Sequence, residues 1–128
     1  MPRVHAYNGA HGAQVAAAEG HVVVVVDALR ASGTITTLVA HGVQRLFVVA
    51  EVEEALAVRR ELASEGQPTL LVGERNGLKI AGFDRGNEPV VGNDDLPQTC
   101  IFTSSNFAYC CMAAREAHEL LVGTVINA

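Results

Sequence analysis

The residues with the most chemical potential stand directly after short apolar runs. Asp27 follows five consecutive valines, Val22 to Val26. Gly73-Glu74-Arg75 follows Leu70-Leu71-Val72, and Thr103-Ser104-Ser105-Asn106 follows Cys100-Ile101-Phe102. Gly123-Thr124 follows Leu120-Leu121-Val122. Each run ends in a small, hydroxyl or acidic residue, and ligands of parallel α/β sheets bind beyond the carboxyl ends of the strands. A carboxylate at the tip of an all-valine strand is partly desolvated unless it is paired. Asp27 is therefore either a cap of the next helix or a partner of Arg30, or else a Mg²⁺ ligand or nucleophile. Mg²⁺ takes oxygen ligands, commonly one or two carboxylates plus waters, and Asp27, Glu74 and Asp84 supply such oxygens. Glu74 and Arg75 can equally form a solvated ion pair. The hydroxyl run leads into a helix start, where backbone N–H groups and the helix dipole favour an anion and where Ser105 or Asn106 can also serve as an N-cap. Arg30, Arg75 and Lys79 are candidate phosphate clamps: arginine offers a planar fork, lysine a mobile point charge.

Other chemistries find no support. The chain has no Walker A, HExxH or GxSxG pattern, which argues against a P-loop ATPase, a zincin or an α/β-hydrolase. Cys100, Cys110 and Cys111 are odd in number and lack CxxC spacing, so they read as packed thiols and not as a zinc or disulfide framework. The five histidines are scattered along the chain and form no motif. A net charge of −5, no tryptophan and no basic stripe speak against nucleic-acid binding. An acidic chain that handles an anionic ester needs local positive charge or a metal. There are eight arginines and a single lysine, Lys79.

The elements that must position these residues follow from length and periodicity. The 128 residues suffice for one domain with a real core. At 49% hydrophobic and 18% charged, the composition is that of a compact soluble domain. The five-valine run Val22 to Val26, like every other apolar run of the chain, is far too short to cross a bilayer, and no apolar signal core follows the N-terminus. The expected location is the cytoplasm. Short apolar runs alternate with helical stretches, which indicates an α/β fold with a mostly parallel sheet. Expected strands are Val22–Val26, read as a central strand buried on both faces, then Leu46–Ala50, Leu70–Val72, Cys100–Phe102 and Leu120–Val122, with a short edge strand at Val4–Tyr7. Expected helices are Thr34–Ala40, Glu51–Ser64 and about Asn106–Ala117. Residues 73–98 show neither period, and loops of that length in compact domains are usually functional or disordered. Leu78, Ile80 and Phe83 within it imply that it packs onto the body.

The segments taken together resemble a known family. Asp27-Ala28-Leu29-Arg30-Ala31-Ser32-Gly33-Thr34-Ile35 is similar to the D-V-L-R-A-T-T-T-I segment of the 2-phosphosulfolactate phosphatases, the ComB family. The stretch from Gly73-Glu74-Arg75 through Lys79 and Gly82-Phe83-Asp84 to Gly86-Asn87-Glu88-Pro89 resembles that family's G-E-R-G-G-x-K-x-x-G-F-D-x-G-N-S-P. Thr103-Ser104-Ser105-Asn106 resembles T-T-T-N-G-T, and Gly123 to Ala128 resembles G-S-x-x-N-A. The four motifs occur in order, and the only lysine lies inside the longest.

The resemblance implies a three-layer α/β/α domain over residues 1–128 and a Mg²⁺-dependent hydrolase. Such an enzyme converts 2-phosphosulfolactate, or a related phospho-2-hydroxy acid, to sulfolactate and phosphate, a step of coenzyme M biosynthesis in methanogens. It implies catalytic roles for Asp27, Arg30, Glu74 and Lys79. It implies substrate contacts from Arg75, Thr103, Ser104, Ser105, Asn106 and Asn87, and metal contacts from Asp27, Glu74 and Asp84. The chain departs from the pattern at Phe107, where the family has a glycine that lets backbone approach a ligand, and at Ser32-Gly33, where it has two threonines. Family members are roughly twice as long as one such domain (about 100–200 residues), and the second half is expected to be absent here. The alternative expectation is a non-catalytic domain that keeps an anion-binding groove. Apolar surface left exposed by the shorter chain leads to an expectation of homo-oligomers.

Overall fold

The computed structural model describes residues 1–89, 92 and 95–128. The part of the 73–98 loop reading that falls on Val90, Val91, Asn93 and Asp94 lies outside the described residues. Among the described residues four helices and six strands follow in the order α1 Gly9–Ala18, β1 Val22–Val26, α2 Ala31–Ala40, β2 Arg45–Val48, α3 Val52–Ser64, β3 Thr69–Arg75, β4 Leu78–Lys79, β5 Thr99–Thr103, α4 Phe107–Ala113 and β6 Glu119–Gly123. β2, β5 and β3 run parallel in that order, with β4 antiparallel on the β3 edge. β1 and β6 form a separate parallel pair.

The period-2 alternation of β3 and β5 builds the layers. Leu71 and Ile101 face α3, where they pack with Ala55, Leu62 and Phe83. Leu70, Val72, Cys100 and Phe102 point the other way, into a core shared with α1, α2 and α4. Full burial of one such side chain contributes about 1.5–3 kcal/mol. The result is a three-layer α/β/α arrangement of mostly parallel strands, as the alternation of the sequence predicts. α3 begins where its sequence says it must: the Glu54 carboxylate accepts the Glu51 backbone N–H at 3.2 Å, a reciprocal cap of the first turn.

Several expectations are corrected. The valine strand is not buried on both faces: Val23 and Val25 are buried, but Val22, Val24 and Val26 are 52%, 53% and 63% exposed. An unbroken apolar run does not reveal whether its second face has a cover. Residues 1–8 form no strand, and the helix that follows them, α1, has no counterpart in the sequence reading. Its alanines and glycines give little amphipathic signal, although Ala13, Ala16 and Ala17 enter the core. α4 ends at Ala113, short of the expected Ala117. The 73–98 segment contains strand β4 and the end of β3. Among the described residues no helix is long and apolar enough to cross a membrane.

Candidate functional site

The site is assembled where β3 outruns its neighbour. Gly73 pairs with Thr103, the last residue of β5. A Cβ on Gly73 would lie 2.6 Å from the Thr103 carbonyl oxygen, so only glycine permits the approach. β3 continues through Glu74 and Arg75, then reverses at Asn76 (φ 53°) and Gly77 (φ 81°) into β4. Two consecutive positive φ values are what a tight antiparallel hairpin needs, and Asn-Gly supplies them at least cost.

Glu74 ties this hairpin to the loop after β5. It is only 6% exposed. One carboxylate oxygen accepts the Ser105 backbone N–H at 2.6 Å, and the other accepts the Gly77 N–H at 2.7 Å and the Ser105 hydroxyl at 3.1 Å. Burial raises its pKa, but the hydrogen bonds from Ser105 and Gly77 and the charge of Arg30 outweigh burial, and the net shift is downward. The ionised carboxylate is thus a three-donor clamp. The Ser105 hydroxyl also accepts the Asn76 N–H at 3.1 Å, so both loops close on one another.

Other residues singled out by the sequence are engaged in the frame around this clamp. The Arg75 guanidinium donates to the carbonyls of Ala50 and Glu74 at 2.6 and 2.9 Å and to the Thr103 hydroxyl at 3.0 Å. Thr103 in turn donates to Ala50 O at 3.0 Å. Arg75 and Thr103 therefore bolt the carboxyl ends of β2, β3 and β5 together, and neither lines the cleft described below. The Asp84 carboxylate accepts the Leu71 backbone N–H at 2.7 Å and pairs with Arg59 at 2.9 Å, on the α3 side of the sheet. The structure does not bring it to Asp27 and Glu74. Among the described residues no group of three or more His, Cys, Asp or Glu side chains is placed to hold a metal ion. Lys79 is exposed, opposite Glu74 in the hairpin register, and outside the cleft lining.

What the structure does gather is a cleft of about 610 Å³. Asp27 and Arg30 enter from the β1–α2 loop, Glu74 and Asn76 from the hairpin, Asn87 from the long loop, and Ser104 to Asn106 from the β5–α4 loop. The Asp27 N–H donates to Ser32 Oγ at 2.9 Å, which fixes the loop. Asp27 Oδ1 receives only a long 3.4 Å contact from the Arg30 N–H, and its other oxygen has no hydrogen-bond partner among the described residues. Arg30 reaches across the cleft toward the hairpin, with Nη1 3.5 Å from Gly77 O. Ser104 Oγ accepts the Ala108 N–H at 3.1 Å and caps α4. Asn87 is 4% exposed, and its Oδ1 has no hydrogen-bond partner among the described residues. A buried acceptor left unmade costs about 1–3 kcal/mol. The arrangement offers an exposed guanidinium for an anion, a carboxylate oxygen open to the cleft, and a buried carbonyl that lacks a donor.

Phe107 does not crowd this space. Its ring is buried, edge-on to Phe102 at 6.2 Å, and it has no positive φ. No histidine lines the cleft. The thiols of Cys100 and Cys111 are pushed up to about 12 by burial, which keeps them protonated and inert as nucleophiles at neutral pH. The sequence reading did not single out Leu29, Asn76 and Gly77 as lining residues. Asn76-Gly77 carried the signal, a hairpin dipeptide between β-prone residues. The exposed Leu29 carried none.

A family model described as 2-phosphosulpholactate phosphatase matches residues 9–128. Three curated relatives share the name "Probable 2-phosphosulfolactate phosphatase". The protein of Carboxydothermus hydrogenoformans is 36% identical over 111 residues, covering 87% of this chain and 45% of the relative. That of Clostridium acetobutylicum is 39% identical over 106 residues, covering 81% and 44%. That of Deinococcus radiodurans is 36% identical over 110 residues, covering 84% and 44%. The chain spans less than half the length of these relatives.

Proposed function

The chain belongs to the 2-phosphosulpholactate phosphatase family, and from that premise we propose that its cleft binds and hydrolyses a small phosphate monoester, 2-phosphosulfolactate or a related phospho-2-hydroxy acid, with Mg²⁺ as cofactor. One observation carries the reading: of the two carboxylates in the cleft, Glu74 is held by three donors whereas Asp27 keeps an oxygen open beside Arg30. Glu74 then organises the loops, and Asp27 and Arg30 meet the reactants.

Hydrolysis breaks the ester P–O bond. Water supplies the oxygen that goes to phosphorus and the proton that goes to the released 2-hydroxyl. The Arg30 guanidinium donates to phosphoryl oxygens and offsets their charge. Asn106 and Ser104 border the same space and orient the acid's other anionic groups. The open Asp27 oxygen is a hard donor of the type Mg²⁺ prefers, so the donor chemistry fits that ion. Bound Mg²⁺ supplies neutralisation of charge on the phosphoryl group. This reading places the protein in the cytoplasm, acting on a small molecule and not on nucleic acid or membrane.

The test is Mg²⁺-dependent release of inorganic phosphate from 2-phosphosulfolactate by the purified chain. Asp27→Asn should lower turnover by at least about 100-fold with an unchanged circular dichroism spectrum. If the folded wild-type chain releases no phosphate yet binds it, the non-catalytic anion-binding alternative takes over.

We also infer that the protein self-associates through β1 and β6. Val22, Val24 and Val26 on β1 and Leu121 on β6 are exposed, and Val24 is in register with Leu121, so they share one apolar face. A second copy presents the same face, which suits a self-complementary two-fold contact. A strictly monomeric mass in light scattering at high concentration would overturn this.

A further inference from the structure

We propose that Asn87 Oδ1 is a metal-facing oxygen of the cleft, and that together with Asp27 it forms the subsite for a hard divalent cation, Mg²⁺ or Mn²⁺. The inference rests on the assignment of the cleft as the reaction site and deepens it.

The Asn87 side chain is almost wholly buried, lines the cleft, and carries a carbonyl oxygen with no hydrogen-bond partner among the described residues. An amide carbonyl is an acceptor only. Its missing partner must be a donor or a cation. The proposed substrate class does not supply a donor, because an ionised phosphate ester that also bears carboxylate and sulfonate groups presents acceptor oxygens. Asp27 adds a further acceptor in the same cleft. Three sets of electron-rich oxygens therefore converge on one space, and a cation is the species that satisfies all of them at once. Arg30 answers part of that charge, but its hydrogen bond runs to the Gly77 carbonyl and not to Asn87.

The choice of ion follows from the donors. No histidine or cysteine lines the cleft, which leaves oxygen ligands and selects Mg²⁺ or Mn²⁺ over softer metals. Two protein oxygens, one charged and one neutral, match the way Mg²⁺ is usually held, with waters and substrate oxygens filling the remaining positions. Glu74 and Asp84 are not needed for the subsite, since the first is engaged by Ser105 and Gly77 and the second by Arg59 and Leu71.

The experiment titrates Mn²⁺ into the purified chain without substrate and reads free Mn²⁺ by electron paramagnetic resonance. Wild type should bind one Mn²⁺, and Mg²⁺ should displace it. Asn87→Leu should weaken binding at least tenfold, whereas Asp84→Asn should leave it within about twofold. Asn87→Asp, which puts a charged oxygen in the same place, should tighten binding at least threefold, and it serves if the leucine variant does not fold. Wild-type binding that is undetectable at millimolar Mn²⁺ overturns the proposal. So does an affinity unchanged in both Asn87 variants, which would leave an ordered water as the carbonyl's partner. Metal binding that depends on Asn87 in a chain that releases no phosphate would keep this subsite and defeat the phosphatase reading. Phosphate release without Asn87-dependent metal binding would do the reverse.

Discussion

Two concavities of almost equal size lie in this molecule. The cleft at the ends of β3 and β5 measures about 610 Å³, and a groove between residues 3–9 and β1 measures about 630 Å³. Their walls differ. The cleft is lined by Asp27, Arg30, Glu74, two asparagines beside the hairpin and long loop, and the Ser104 to Asn106 loop. The groove is lined by all five valines of β1 and by the irregular N-terminal segment. Volume therefore says little about chemistry. In the cleft, Glu74 is fixed by backbone donors, and one oxygen each of Asp27 and Asn87 has no hydrogen-bond partner among the described residues. In the groove, apolar side chains lack a cover, and burial in a contact, not chemistry, is what they offer.

The largest effect that would sharpen this contrast is expected from Glu74→Gln. The amide would point an N–H at donors that now surround a carboxylate. The loss should be about 3 kcal/mol of stability, read in urea denaturation, together with weaker phosphate release as the two loops separate. A stability unchanged within error would mean that the clamp does not hold the cleft. Its pH dependence has a definite sign. The folded-state pKa lies below the ordinary value of 4.5, so the clamp's contribution is fully present above 4.5 and is lost as the pH falls through the depressed value. In Glu74→Gln the acid limb of the stability profile should be shallower.

Gly73→Ala comes next. The added methyl meets the Thr103 carbonyl oxygen at 2.6 Å and Thr103 Cγ2 at 2.9 Å. Overpacking of this kind costs about 1–3 kcal/mol, and here it should also pry apart the strands that carry Glu74 and Ser105. A melting temperature equal to wild type would show that the strand ends have slack. The smallest effect on stability should come from the groove. Val24→Asp, at a half-exposed position, should stay within about 0.5 kcal/mol and leave phosphate release within twofold, yet it should lower the mass seen by light scattering. If it abolished phosphate release instead, the two regions would not be independent.

The sequence was informative where local chemistry alone decides an outcome. The short apolar strands and the helix of residues 52–64 follow from periodicity, whereas the Asn76-Gly77 hairpin lies in a segment expected to be a loop. The alignment of Asp27, Glu74 and Ser105 toward one edge follows from parallel α/β topology. α1 was illegible because an alanine-glycine helix has almost no polar face to contrast with its buried one. The uncovered face of β1 was illegible because five valines look the same whether one face or both are packed.

The residue types at the strand ends, the hydroxyl run and the long loop motif were thus determined by sequence, and with them the family. Which of those residues line the cleft and which hold the frame was decided by tertiary structure alone. Arg75, Thr103 and Asp84 are chemically as able as Arg30 and Asp27 to bind phosphate or metal. They differ because chain segments 13 to 53 residues away in sequence satisfy them with hydrogen bonds. Residue type sets what a polar group can do, and the partners that folding delivers set whether it is still available to do it.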